Sequence, residues 1–224
     1  RSYLAHAHLS SDNNDIIFGN FIADSVKGKS YQRYRKDIVT GILLHRKIDS
    51  FTDNHSIFKS SREIISSDFG KFSGIVIDIY YDHFLATNWS LFDNRELSAF
   101  ISHVYGILAN RFGILPTRVK KMLPFMIGQN WLLSYSNLSD LERVFRGMNR
   151  RTNYLSGMDK AVEVLLDNYE EIKSHFMLFY PELEKLVKAN IKQSLSKPEI
   201  QEIVDKIIKE ELETQSSLQC SLSR

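Results

Sequence analysis

Apolar residues return every three or four positions along most of the chain, and the strict alternation of a half-buried strand is nearly absent. The pattern predicts an all-α fold, with helices over about Asn13–Val26, Asp37–Thr52, Ser56–Ser67, Phe72–Asn88, Arg95–Arg111, Thr117–Tyr135 and Ser139–Arg150. Two or three more follow between Met158 and about Thr214. Capping residues punctuate the series: Asp12 or Asn13 stands before the first helix, Asn54 or Ser56 before the third, and Asp93 or Asn94 before the fifth. Ahead of all of these, Leu4-Ala5-His6-Ala7-His8-Leu9 reads as a segment whose alternate residues face opposite ways, so one of His6 and His8, not both, turns toward a given neighbour.

No Pro, Gly or Ser-rich stretch interrupts residues 1–195, which are expected to form one domain. Residues 196–224 are expected to be an appendage. In it Lys197–Thr214 reads as a charged amphipathic helix with Ile200, Ile203, Val204, Ile207 and Ile208 on one face, ahead of a frayed polar tail. Hydrophobic residues at 43% and charged residues at 25% are ordinary globular usage and exclude large-scale disorder. The near-balance of 29 Lys+Arg against 27 Asp+Glu argues against nucleic acid as the partner. A single cysteine, Cys220, forbids an intrachain disulfide and points to a reducing, cytoplasmic setting. No apolar run approaches the roughly 20 residues of a membrane span, and no basic segment leads into a long apolar core at the start of the chain.

Chemistry is suggested where polar residues interrupt apolar helices. His45 and Asp49 are four apart on the second predicted helix, a spacing that puts both on one face and can chelate a metal or orient the histidine. Asp78, enclosed by Ile75, Val76, Ile77 and Ile79, is four residues from Asp82, which His83 follows at once. Carboxylates among isoleucines are costly unless a cation or several donors satisfy them. Asn20 and Asp24 form a third such pair on the first helix, with His6 or His8 just upstream. Histidine nitrogens and carboxylates without a nearby thiolate suit Mn²⁺, Mg²⁺ or Fe²⁺, with Zn²⁺ less clearly excluded.

The segments Tyr3-Leu4-Ala5-His6-Ala7-His8-Leu9, Gly19-Asn20-Phe21-Ile22-Ala23-Asp24, the run from Gly41 through His45-Arg46 and Asp49 to Asp53-Asn54-His55, and Tyr81-Asp82-His83-Phe84-Leu85-Ala86 resemble, in this order, the acyl carrier protein phosphodiesterase family. The resemblance is dense through residue 89 and thinner as far as the Arg143–Arg151 stretch. It implies a helical, non-canonical relative of the HD phosphohydrolases that removes the 4'-phosphopantetheine arm from holo-acyl carrier protein with a divalent cation, typically Mn²⁺. Carried over, His45, Arg46, Asp49, Asp53 and His55 form the central motif, Asp82 and His83 the histidine-aspartate-like one, and Asp24 and His8 the N-terminal ones. The doublet here runs Asp-His, the reverse of the usual order.

On this reading His45, Asp49, Asp78, Asp82, His83 and His8 are the candidate metal ligands, and Arg46 adds a charge-assisted hydrogen bond to the phosphate. Asp24 is the general base or a bridging ligand, and His55 or His83 the proton donor. Asp53 stands in the catalytic motif, with the cap of the next helix as its structural alternative. The run Lys27 to Lys36 carries five basic residues (Lys27, Lys29, Arg33, Arg35, Lys36) and no acid, and Arg143, Arg146 and Arg150 form a second basic stripe. Either could dock an acidic carrier protein. The rival readings are a phosphohydrolase of nucleotides or small phosphate esters and a carrier-protein-binding module without catalysis.

Overall fold

The computed structural model describes residues 2–193. The chain divides into two compact units, Arg1–Glu184 and Lys185–Arg224. Of the second unit, residues 185–193 are described and helical, and the expected helix over Lys197–Thr214 and the tail beyond it lie outside the described residues. The first unit contains α1 (Tyr3–His8), α2 (Asn14–Ile22), α3 (Lys36–Asn54), α4 (Ser56–Ile64), α5 (Ser66–Phe69), α6 (Ser73–Thr87), α7 (Leu97–Asn110), α8 (Thr117–Gly128), α9 (Trp131–Ser134), α10 (Leu138–Arg151) and α11 (Ala161–Asp167). A further helix, α12, begins at residue 169. Among the described residues there is no strand, as the periodicity predicts, and no helix long and apolar enough to cross a membrane.

Three local departures have physical causes. The segment around His6 and His8 is a helix rather than extended chain, because the buried carboxylate of Asp82 accepts from the backbone N–H groups of Leu4 (3.1 Å) and Ala5 (2.9 Å) and from Ser2 Oγ (2.5 Å). It thereby caps an N-terminus whose orphan donors lack a local acceptor. The predicted helix over Thr117–Tyr135 breaks at Asn130, which adopts the left-handed region at φ 46°, a conformation that asparagine tolerates better than most residues. The cap of α4 is neither Asn54 nor Ser56 but His55, whose Nδ1 accepts from the Ile57 N–H.

Helix α6 is buried on nearly all sides, through Val76, Ile77, Ile79, Tyr80, Tyr81, Phe84 and Leu85, which suits a helix at the centre of the unit. Helices α1 and α4 pack against it. Beside this centre, α2 and α3 cross at Gly19 and Gly41. A Cβ on Gly19 would lie 2.1 Å from the carbonyl oxygen of Ile38, and one on Gly41 2.2 Å from that of Ile16. Both helices therefore meet backbone to backbone, and any side chain at either position forces them apart. Gly41→Ala is expected to destabilise the fold by about 3 kcal/mol, the upper end of overpacking penalties. A denaturation midpoint equal to that of the wild type would contradict so close a crossing.

Candidate metal centre

The glycine crossing places Asn20, next to Gly19, against His45, one turn beyond Gly41. Asn20 is fully buried and acts as a hub. Its Nδ2 donates to the carbonyl oxygen of His6 (3.0 Å) and to Ser10 Oγ (2.8 Å), which fixes the amide so that Oδ1 faces the two imidazoles. Oδ1 lies 2.9 Å from His6 Nδ1 and 3.0 Å from His45 Nδ1. An amide oxygen only accepts, so both rings carry their proton on Nδ1 when neutral, and both turn Nε2 the other way. The rings stack with centroids 4.0 Å apart.

The outward nitrogens meet carboxylates. His6 Nε2 is 3.3 Å from Asp49 Oδ1, and His45 Nε2 is 3.3 Å from both Asp49 Oδ2 and Asp24 Oδ1. His45 Nε2 is nevertheless buried without a geometrically sound hydrogen bond. Among the described residues, His6, His45 and Asp49 form a group that could hold a metal ion. Two ligand atoms about 2.1 Å from one ion and about 105° apart are separated by about 3.3 Å, the spacing seen at each of these contacts. The donor set, with its tautomers fixed by a neighbouring oxygen as in protein metal centres, fits a divalent cation.

Without a cation the group holds a proton instead. Burial disfavours the charged form of His45, but the carboxylates of Asp24 and Asp49 outweigh it and raise its pKa to about 9. Burial alone would raise the Asp49 carboxyl, yet His45 and His6 hold it well below the usual carboxylate range. Burial and the adjacent His45 lower the pKa of His6.

The His6 and Asp49 edge of this group opens into a cavity of about 230 Å³, whose polar lining also includes Asp53, Asp78, Arg62 and Lys71. Phe176, Phe179 and Leu183 of α12 form its apolar wall. Burial pushes the Asp78 carboxyl up to about 7, with the nearby Asp49, Asp82 and Asp53 charges adding to the shift. The cavity thus joins two carboxylates expected from the sequence to the metal-ligating group.

Other expected residues are used elsewhere. His8 is two positions from His6, about 200° around α1, and its Nδ1 pairs with the Tyr180 hydroxyl at 2.6 Å, so His6 and not His8 joins the group. Asp82 caps α1 and holds His6 in place, and burial lifts its carboxyl to about 6 against those three donors. His83 donates from Nδ1 to the Tyr135 carbonyl (2.7 Å) and has Nε2 3.1 Å from the Tyr169 hydroxyl, which leaves neither nitrogen for a metal in the cluster. His55 uses Nδ1 for the α4 cap and places Nε2 3.1 Å from Glu182. Arg46 donates from Nη2 to the carbonyls of Val26 and Gly28, each at 2.9 Å, and its guanidinium lies over Tyr31. It pins down the loop that carries Lys27, Lys29, Arg33, Arg35 and Lys36, all of them exposed. In the second stripe Arg143 pairs with Asp140 and Arg146 with Glu142, which partly neutralises it beside exposed Arg150. Arg62 and Lys71 give no such sign in the spacing of residues, whereas Asn20 is marked by its pairing with Asp24 but not as the hub of the two imidazoles.

A family profile described as acyl carrier protein phosphodiesterase matches residues 2–183. The chain is 33% identical over 181 residues to an acyl carrier protein phosphodiesterase of Photorhabdus laumondii, a match covering 80% of this chain and 91% of that protein. It is 30% identical over 181 residues to the one of Yersinia pestis (80% and 94% covered) and 31% over 193 residues to the one of an Enterobacter (86% and 99%). No solved structure matches the chain significantly. The family match extends past residue 160 and takes in the part of α12 that walls the cavity.

Two outcomes are expected from the geometry. Asn20→Ala should weaken Mn²⁺ binding by about 10–100-fold, as loss of an orienting partner does elsewhere, when measured by calorimetry. In chelator, a His45 pKa raised above its unfolded value of about 6.5 contributes stability that is complete below pH 6.5 and lost as pH rises through about 9. The thermal midpoint of the metal-free protein should therefore fall across that window, and His45→Gln should flatten the slope.

Proposed function

The chain belongs to the acyl carrier protein phosphodiesterase family, and we propose that it hydrolyses the phosphodiester joining 4'-phosphopantetheine to holo-acyl carrier protein, with Mn²⁺ held by His6, His45, Asp49 and Asp24. The observation that carries this reading is the pair of imidazoles locked by one amide oxygen and aimed at carboxylates beside a cavity. Two nitrogens and two carboxylates suit Mn²⁺ or Fe²⁺ better than Mg²⁺, which prefers all-oxygen surroundings. Of the two roles open to Asp24, its 3.3 Å approach to His45 Nε2 favours that of ligand.

When bound, such an ion activates water and offsets the charge that builds on the phosphoryl oxygens. The residues of the chain do the rest. Cleavage of the bond from phosphorus to the serine oxygen leaves an alkoxide that needs a proton. Asp78 lines the same cavity, and its burial favours the protonated carboxyl that can supply one. It takes the part expected of His55 or His83. Phe176, Phe179 and Leu183 keep bulk water from one side and suit the gem-dimethyl and methylene parts of the pantetheine chain. The exposed basic loop after Asp24 faces no acid of its own and complements the acidic surface of a carrier protein. Such a substrate belongs to the cytoplasm, where carrier proteins serve fatty acid synthesis.

The test is incubation of metal-stripped protein with holo-acyl carrier protein and Mn²⁺, read by the intact mass of the carrier. Conversion to the apo form is expected, to be abolished by chelator and by His45→Ala. Asp78→Asn should keep metal binding while slowing turnover by about 100-fold or more. A holo mass that persists while a complex forms would instead identify a binding module, and turnover of free nucleotides alone would identify a nucleotidase.

A further inference from the structure

The reading above assigns the phosphate no cationic partner from the protein, and Arg46 donates from Nη2 to the carbonyls of Val26 and Gly28. Two other cations line the cavity. Arg62 comes from α4 and Lys71 from the turn just before α6. Arg62 Nε is buried and has no hydrogen-bond partner, and among the described residues neither Arg62 nor Lys71 forms an ion pair with the carboxylates of the same cavity. A guanidinium N–H withdrawn from water and left unmade is costly, and its fork of donors matches phosphate oxygens. Gly74 leaves the guanidinium its space: a Cβ there would stand 3.5 Å from Arg62 Nε. The carboxylates of the cavity, Asp49, Asp53 and Asp78, come from α3 and from the second turn of α6, while the first turn, which contains Gly74, carries no acidic residue.

Resting on the proposed function, we infer that Arg62 and Lys71 hold the non-bridging oxygens of the scissile phosphate in the cavity. The charges have a consequence of their own. A phosphodiester carries one negative charge, whereas the released phosphomonoester approaches two, so two cations hold the product arm more firmly than they hold the ester. The arm itself contains no other anionic group. Recognition of its phosphate by these side chains therefore persists without metal and distinguishes 4'-phosphopantetheine from pantetheine.

The test titrates the metal-stripped full-length protein with 4'-phosphopantetheine and with pantetheine by calorimetry at low salt. The phosphorylated arm should bind about tenfold or more tightly than pantetheine, and Arg62→Gln should remove about tenfold or more of that affinity, as loss of a charge-assisted hydrogen bond does. Arg62→Lys should recover part of it. Lys71→Gln, a change at an exposed residue, should weaken binding less and keep the fold. Equal affinity for the two arms, or wild-type affinity in both folded Arg62→Gln and Lys71→Gln, would overturn the inference. The mass assay separates this from the function itself. Conversion of the carrier with phosphate binding indifferent to both residues sinks the anion site alone. Phosphate binding that depends on Arg62 without conversion leaves the anion site standing and sinks the carrier-protein reading.

Discussion

The approach of α2 to α3 at Gly19 and Gly41 is the constraint from which the rest of the site follows. Hydrogen bonds from two imidazoles to one amide oxygen require donor and acceptor atoms within about 3 Å, and side chains as short as asparagine and histidine span only the narrowest helix separations. With a Cβ at either glycine the helices would separate by the width of a methyl group, and Asn20 Oδ1 could no longer serve both rings. Close contact of helix backbones also removes water from the polar group between them, so its hydrogen bonds act in a low dielectric. A packing feature thus becomes a chemical one: it fixes which imidazole nitrogen is free.

Around that crossing, polar groups divide into those that hold the site and those that face it. Asp82 is the clearest of the first kind. Its carboxylate sits in the apolar interior of the molecule, which costs free energy unless donors surround it, and the donors come from the start of α1. The same bonds set the rotation of α1 and so decide that His6 faces the cluster. His83 likewise ties α6 to the chain at Tyr135 and Tyr169. The Asp-His doublet therefore supports the cluster from behind, while the atoms that could ligate a metal come from α1, α3 and the turn after α2, and α2 supplies the orienting amide of Asn20. Reversal of the doublet's order is consistent with this change of role.

Much of this arrangement was legible in the sequence because it is local. The 3.6-residue period locates most helices, and four-residue spacing on one helix face identifies His45 with Asp49 without any knowledge of the tertiary structure. What failed to show was long-range. A carboxylate in an apolar helix needs partners, but nothing in the spacing of α6 says whether those partners are a cation or the N–H groups of a helix 77 residues away. Reading the N-terminal segment as extended or helical makes no difference to whether His6 and His8 oppose each other, since both conformations put residues two apart on opposite sides. It does decide which one turns inward, and that depends on Asp82. Arg62 lies in an amphipathic helix among several polar residues, where its burial against Gly74 leaves no trace in the pattern.

His45 and Arg46 are consecutive on α3, so they project about 100° apart, one into the metal-ligating group and the other into the basic loop. Asp24 closes the same circuit from the opposite side, with the start of the loop, Lys27, three residues beyond it. Arg46 and Asp24 thus connect the loop to the metal-ligating group, both within one residue or one contact of His45. The loop has no packing core of its own, and the two carbonyl contacts of Arg46 are the charge-assisted bonds that hold its first turn. The basic loop and the metal-ligating group consequently share one rigid element, α3. An enzyme whose substrate is a whole protein gains from that sharing, because recognition remote from the reacting phosphorus can then bear on how the ligands are set.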